Sequence, residues 1–213
     1  MKTAGGRKSG GSARRPDTRR NKRDRILRAA IVVFARKGFY TARVSDIARS
    51  AGVADGTIYL YFKNKDDILV SLFDERLSKL IETLRVELPP LPDATSRLRR
   101  LIQLQIGTME AHRDLAEVVT VNLRQSTRLL KQFAAPRFAE YLEVMSGVIH
   151  EGQNKKILRA DVSPMTVARM VFGAIDGLAL TWALGNAVPG ELSKAAEQLA
   201  NVVVSGLRAE ARH

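Results

Sequence analysis

The chain is predicted to be all α-helical, and three observations predict it. Apolar residues recur at helical spacing in one segment after another. No stretch keeps the strict alternation of a strand. Proline, glycine and cap-forming residues punctuate the segments where helices should start and stop. With 213 residues, 45% of them apolar, the chain can bury a substantial core in one or two domains.

Residues 1–17, rich in Gly, Ser, Lys and Arg without periodicity, read as a disordered basic arm. A first helix is expected from Asn21, with Asp24 as its capping partner. Ile26, Leu27, Ala30, Ile31 and Phe34 form one face, and Gly38 makes the left-handed stop. A second helix is expected over about 43–50 with Val44, Ile47, Ala48 and Ala51 inward, followed by a turn at Gly52 and a short third helix over about 55–62. Asn64 with Asp67 three residues on forms a capping box for a long helix to about Glu87, which Leu88-Pro89-Pro90-Leu91-Pro92 ends. The remainder reads as helices over about 94–111, 114–126, 128–152, 163–185 and 191–210, with Ser163-Pro164 as cap and first residue of the fourth of these.

The net charge is +13, and its distribution is uneven. Residues 1–62 hold 15 Lys+Arg against 4 Asp+Glu, a net of +11, whereas residues 63–213 hold 20 against 18, a net of +2. That asymmetry favours a polyanion partner for the N-terminal third, through counterion release from phosphates. There is no cysteine, which excludes disulfides and thiolate metal sites and suits a reducing, cytoplasmic setting. No run of 18 consecutive apolar residues occurs, and the basic start lacks the apolar stretch of a secretory signal, so neither a membrane span nor export is expected. With three histidines, no cysteine and no Gly-x-Ser-x-Gly, the chain offers no catalytic constellation; His112 beside Glu110 and Asp114 reads as a polar helix end. No enzyme activity, no metal and no bound cofactor is expected.

Two short helices joined at Gly52 have the spacing of a helix-turn-helix, in which the second helix enters the DNA major groove. The positive dipole end at Asp55-Gly56-Thr57 would face DNA. Gly56 permits close backbone approach, Thr57 reaches a phosphate or a base, Tyr59 and Tyr61 offer hydroxyls, and Lys63 and Lys65 neutralise phosphates. Ile58 and Phe62 read as core, and Tyr59 is left between core packing and DNA contact.

The run Gly52-Val53-Ala54-Asp55-Gly56-Thr57-Ile58-Tyr59-Leu60-Tyr61-Phe62-Lys63-Asn64-Lys65, with Gly38-Phe39 and Ile47-Ala48 upstream, resembles the signature of TetR-type transcriptional regulators. The resemblance covers roughly residues 21–73. It implies a homodimeric, ligand-released repressor with a DNA-binding head at 18–66 and a helical ligand-binding and dimerisation body at 67–213. It implies DNA contacts from Ser45, Thr57, Tyr59, Tyr61 and Lys65, with Asp55 and Gly56 opening the reading helix; Arg43 and Lys63 are added as phosphate contacts on their charge. The sequence departs from the family pattern at three places. Arg43 and Ala54 stand where Ser or Thr commonly caps a helix, so Ala54 leaves the reading helix weakly capped unless Asp55 serves. Asp55 stands where Lys is common, and could accept from cytosine N4.

In the body, apolar residues outnumber what a plain bundle needs, which fits a pocket between helices as well as core or dimer seam. Two polar intruders stand out. Arg124 either pairs internally, for instance with Asp176, or binds an anionic ligand group. The segments Leu123-Arg124-Gln125-Ser126 and Phe172-Gly173-Ala174-Ile175-Asp176 resemble the FadR-type branch of the family, acyl-CoA-responsive repressors of fatty-acid degradation genes. That resemblance implies a long-chain acyl-CoA effector, its tail in the apolar bundle and its phosphates near basic side chains, Arg124 first. From the apolar surplus and the polar intruders, the candidate lining is Leu123, Arg124, Gln125, Phe133, Phe138, Phe172, Ile175, Asp176 and Trp182. The alternative is a repressor of an efflux or other metabolic operon responding to a different hydrophobic molecule. The last two helices, with Ala168, Gly173, Ala174, Gly177, Ala195, Ala196, Ala200 and Gly206, are the expected dimer seam.

Overall fold

In a computed structural model, residues 17–122 and 135–209 are described. Among these residues the chain forms nine α-helices, one π-helical turn and no strand beyond a single bridge between Leu158 and Arg208. The all-α expectation holds. The head comprises α1 (Asp17–Lys37), α2 (Val44–Ala51) and α3 (Asp55–Tyr59). The body comprises α4 (Lys65–Glu87), α5 (Ala94–Ala111), α6 (Arg113–Glu117), a π-turn (Val118–Asn122), α7 (Ala135–Asn154), α8 (Pro164–Leu184) and α9 (Glu191–Leu207).

The local signals placed most boundaries. Asn64 accepts from the Asp67 N–H at 2.8 Å, and the Asp67 carboxylate accepts in return from the N–H of Lys63, one residue earlier than a standard box. Ser163 caps α8 through the Thr166 N–H, and Asp93 caps α5 through the Ser96 N–H at 2.7 Å. Gly52 ends α2 at φ +63°, a conformation that costs glycine nothing.

Two expectations needed correction. The first helix starts at Asp17, not at Asn21, so Asn21 and Asp24 lie inside α1 and do not cap its start. The single helix expected over 114–126 is instead α6 followed by the π-turn. Val118-Val119-Thr120-Val121 is a β-branched run, which crowds an α-helical turn. The buried Thr120 hydroxyl also bonds back to the Ala116 carbonyl at 2.7 Å. Residues 123–134, including the first part of the helix expected over 128–152, lie outside the described residues.

Two apolar cores result. The head core holds Ile26, Leu27, Ala30, Phe34, Ile47, Ile58 and Phe62, joined by Ile68, Leu69 and Leu72 from the first turns of α4. The body core is built from the rest of α4 with α5, α7, α8 and α9. There α9 lies along α5, and α7 lies between α8 and α4. Helix α8 is apolar enough by composition to cross a membrane, but its Val167, Ala168, Val171, Ile175, Asp176 and Ala179 are buried within the protein. Of the small residues expected at the dimer seam, Ala168, Ala196 and Ala200 pack inside the chain's own core.

Close approach is needed at one glycine. A β-carbon on Gly152 would lie 2.7 Å from the Ala94 β-carbon and 2.6 Å from Leu158 Cδ1. The Gly152 carbonyl also accepts from the N–H groups of Ile157 and Leu158. Gly152→Ala is expected to cost about 2 kcal/mol by overpacking, read as a lowered denaturation midpoint. An unchanged midpoint would show that α5 can move aside.

Candidate DNA interface and effector site

The head holds α3 outward. Ile58 is buried and fixes the helix on α1 and α2, while Asp55, Gly56, Tyr59 and Leu60 are exposed. Tyr59 is 58% exposed, which places its ring outside the core. Thr57, Tyr61 and Ser45 are half-buried; Arg43 and Lys63 are exposed. Ala54 provides no side-chain cap to α3, as expected. Arg43 caps nothing with its side chain either; its N–H donates to the Asp46 carboxylate at 3.1 Å. Lys37 lies 2.8 Å from the same carboxylate. Those two bonds, Lys37 first, hold the Asp46 carboxyl below the usual range.

Lys65 has a role that sequence reasoning missed. Its ammonium donates to the carbonyls of Tyr40 at 3.0 Å and Ala42 at 2.9 Å, and sits 4.7 Å from the centre of the Phe39 ring. Partial burial pushes its pKa down. The side chain thus staples the α1–α2 loop to the start of α4. Lys65→Ala is expected to lower stability by about 1 kcal/mol or more, a fall in Tm of about 3 °C. No fall by calorimetry would return Lys65 to a pure phosphate-binding role.

In the body, Phe138 and Phe172 meet edge to face with centroids 4.7 Å apart, and Tyr141 lies 6.2 Å from Phe172. Ile175 and Asp176 follow on α8, both buried. Tyr141 is fully buried and its hydroxyl donates to the side-chain carbonyl of buried Gln105. Burial pushes the Tyr141 phenol far up, so it stays a donor. Neither Tyr141 nor Gln105 was among the expected lining residues. The available signal was that Gln105 falls on the apolar stripe of Leu98, Leu101, Ile102 and Ile106. Trp182 is not in this cluster: it lies ten residues after Phe172, about 15 Å along the helix. Its Nε1 donates to the Val188 carbonyl at 3.2 Å, closing the α8–α9 corner. Leu123, Arg124, Gln125 and Phe133 lie outside the described residues.

Head and body are joined at two places. Glu75 on α4 pairs with Arg23 on α1 at 2.9 Å and with Lys79 at 2.7 Å. Burial opposes its charge, yet the two cations outweigh burial and its pKa is lowered. In addition, Leu115 of α6 and Val118 of the π-turn are buried in the head core, while the intervening Ala116 belongs to the body core.

A tri-helical head presenting a short outward helix, on an all-α body with an aromatic interior, defines a helix-turn-helix DNA-binding regulator. Residues 26–72 match the bacterial regulatory proteins of the tetR family, and residues 73–206 match the C-terminal region of YsiA-like proteins. The chain belongs to the TetR family of transcription regulators, which are not enzymes. It is 34% identical over 189 residues to the fatty acid metabolism regulator protein of Bacillus subtilis, covering 89% of this chain and 97% of that one. It superposes on the crystal structure of the transcriptional regulator FadR from Bacillus subtilis in complex with stearoyl-CoA with a TM-score of 0.81. The two are 34% identical, over 87% of this chain and 99% of the other. Thermus thermophilus FadR, a TetR-family repressor in complex with lauroyl-CoA, matches at 25% identity and a TM-score of 0.65, over 90% of this chain and 98% of that one.

Proposed function

We propose that this protein is a homodimeric repressor that holds palindromic operator DNA near fatty-acid metabolism genes in the bacterial cytoplasm and is released by a long-chain acyl-CoA. The observation that carries the reading is the likeness to Bacillus FadR through head and body together, since the body holds the effector. In this reading the acyl chain enters the body beside Phe138, Phe172 and Ile175. Arg124, flanked by Leu123 and Gln125, meets the anionic end, and Asp176 and Phe133 complete the lining. Thr57, Tyr59, Tyr61 and Lys63, with Ser45 and Arg43 on or beside α2, bind the operator. The outward sides of α8 and α9, where Met170 and Val202 are exposed beside Gly173 and Gly206, form the two-fold seam.

The chain supplies a route between the sites. Arg124 lies two residues beyond the π-turn, and that turn places Val118 in the head core. An effector that moves Leu123–Gln125 biases the π-turn, and through it the angle of α1 against α4. The population then shifts towards heads spaced wrongly for both half-sites.

A mobility shift on the protein's own promoter fragment, with and without palmitoyl-CoA, tests the reading. The complex is expected to dissociate, and the free protein to gain about 2.7 kcal/mol of stability at a hundredfold excess over Kd. DNA binding unmoved by saturating acyl-CoA sinks the effector assignment; release by a neutral hydrophobic drug instead would support the efflux-type alternative.

A further inference from the structure

We propose that Gly56, Tyr59 and Leu60 form an apolar notch on the outward face of α3 that holds the C5-methyl group of one thymine in each half-site, so that this contact sets part of the operator's sequence. The reading helix has few other means of telling bases apart. From Asp55 to Leu60 it carries no Arg, Lys, Asn or Gln, the side chains that pair bidentately with guanine or adenine. What remains is the Asp55 carboxylate, the Thr57 hydroxyl, the Tyr59 side chain and Leu60. Apolar contact with the thymine methyl is the readout open to the last two.

Helix α3 is apolar on two sides. Ile58 and Phe62 are buried in the head core, and one apolar side is all that a helix packed on a core requires. On the other side Tyr59 is 58% and Leu60 70% exposed. An exposed leucine alone would call for no explanation. This one continues the helical backbone of α3, at φ −74° and ψ −17°. It stands four residues after Gly56, and Tyr59 stands three after it. Residues at those spacings share a face, and their side chains lean towards the helix start, so both lean over Gly56. Nothing inside the head requires glycine there. Gly56 is exposed, its φ is not in the left-handed region, and a β-carbon on it would meet nothing within 4 Å. Only proline is a poorer helix former. The gap it leaves is the size of the methyl group that alanine would put there, and its walls are apolar. The ring of Tyr59 lines the notch, while its hydroxyl, at the far end, remains for a phosphate. Exposed Arg43 and Lys63, ahead of α2 and after α3, supply the charge that draws the DNA backbone to the head.

The proposal rests on the operator-binding reading, and the test separates the two. The full-length protein is footprinted on its promoter. Each thymine of the protected sequence is then replaced, in both half-sites together, by deoxyuracil, which lacks only the C5-methyl. One buried methyl corresponds to about fourfold in affinity, so at one position the paired replacement is expected to weaken the wild type about fifteenfold. Leu60→Ala should bind the thymine and uracil duplexes equally at that position. Gly56→Ala should keep its helical circular dichroism and melt no lower than the wild type, because alanine suits a helix better and meets no neighbour. With its notch filled, it too should be blind to the methyl. A wild type indifferent to deoxyuracil at every position overturns the proposal. So does a Leu60→Ala or Gly56→Ala protein that still loses as much as the wild type at the same position. A Gly56→Ala protein that melts several degrees lower would give the glycine a structural role and overturn its assignment to the notch. A wild type that footprints nowhere overturns the operator reading itself, and the notch falls with it.

Discussion

Tyr59→Ala is expected to weaken operator binding about a hundredfold while leaving Tm unchanged. The ring is 58% exposed on the helix that the head presents, so its removal opens no cavity. A hydrogen bond from its hydroxyl to a charged phosphate contributes about 1.5 kcal/mol. Two heads on one operator double that, and about 3 kcal/mol corresponds to roughly a hundredfold in Kd. Fluorescence anisotropy with the promoter duplex, beside a calorimetric melt, reads both quantities. The contrast with Lys65→Ala is diagnostic, because that variant loses stability as well as DNA affinity. A Tyr59→Ala protein that melts several degrees lower would place the ring in the core after all.

Gln105→Leu is expected to destabilise the body by about 2–3 kcal/mol. It removes the acceptor of the Tyr141 hydroxyl, which belongs to a fully buried side chain. An orphaned buried donor costs its full desolvation penalty, whereas removing both partners is close to neutral. Gln105→Leu with Tyr141→Phe should therefore recover most of the loss, and the double-mutant cycle measures the coupling. Because Tyr141 meets Phe172 edge to face, the double variant should bind acyl-CoA with changed affinity while keeping its grip on DNA. Additive losses in the cycle would mean that the two side chains do not act as a pair.

The parts of the site legible in the sequence were those set by neighbours within about one helical turn. Asn64 and Ser163 were identifiable as caps because a cap needs only the N–H two or three residues on. Gly52 was identifiable as the turn because only its own φ matters. Ile58 and Phe62 declared themselves core by spacing. The start of α1 was misplaced because Asn21 imitates a cap, although the helix already runs from Asp17. Lys65 was read only as a phosphate contact, and its second role went unseen, because the carbonyls it bonds are 23 and 25 residues away. Gln105 and Tyr141 are 36 residues apart, and neither is unusual alone. Trp182 was expected to line a pocket, but its bond to the Val188 carbonyl at the α8–α9 corner was not foreseen, because that corner comes into being only once α9 folds back along α5.

By itself the sequence determined an all-α chain, a helix-turn-helix with its charge concentrated at the N-terminal end, and a family. Those properties follow from periodicity, local capping and composition, which need no knowledge of distant contacts. Only the tertiary structure decided which side of α3 faces outward, which small residues are spent on the chain's own core, and that Leu115 and Val118 of the body complete the core of the head. The reason is that burial is a property of pairs of elements. A residue's energy depends on what packs against it, and the chain brings those groups together only on folding.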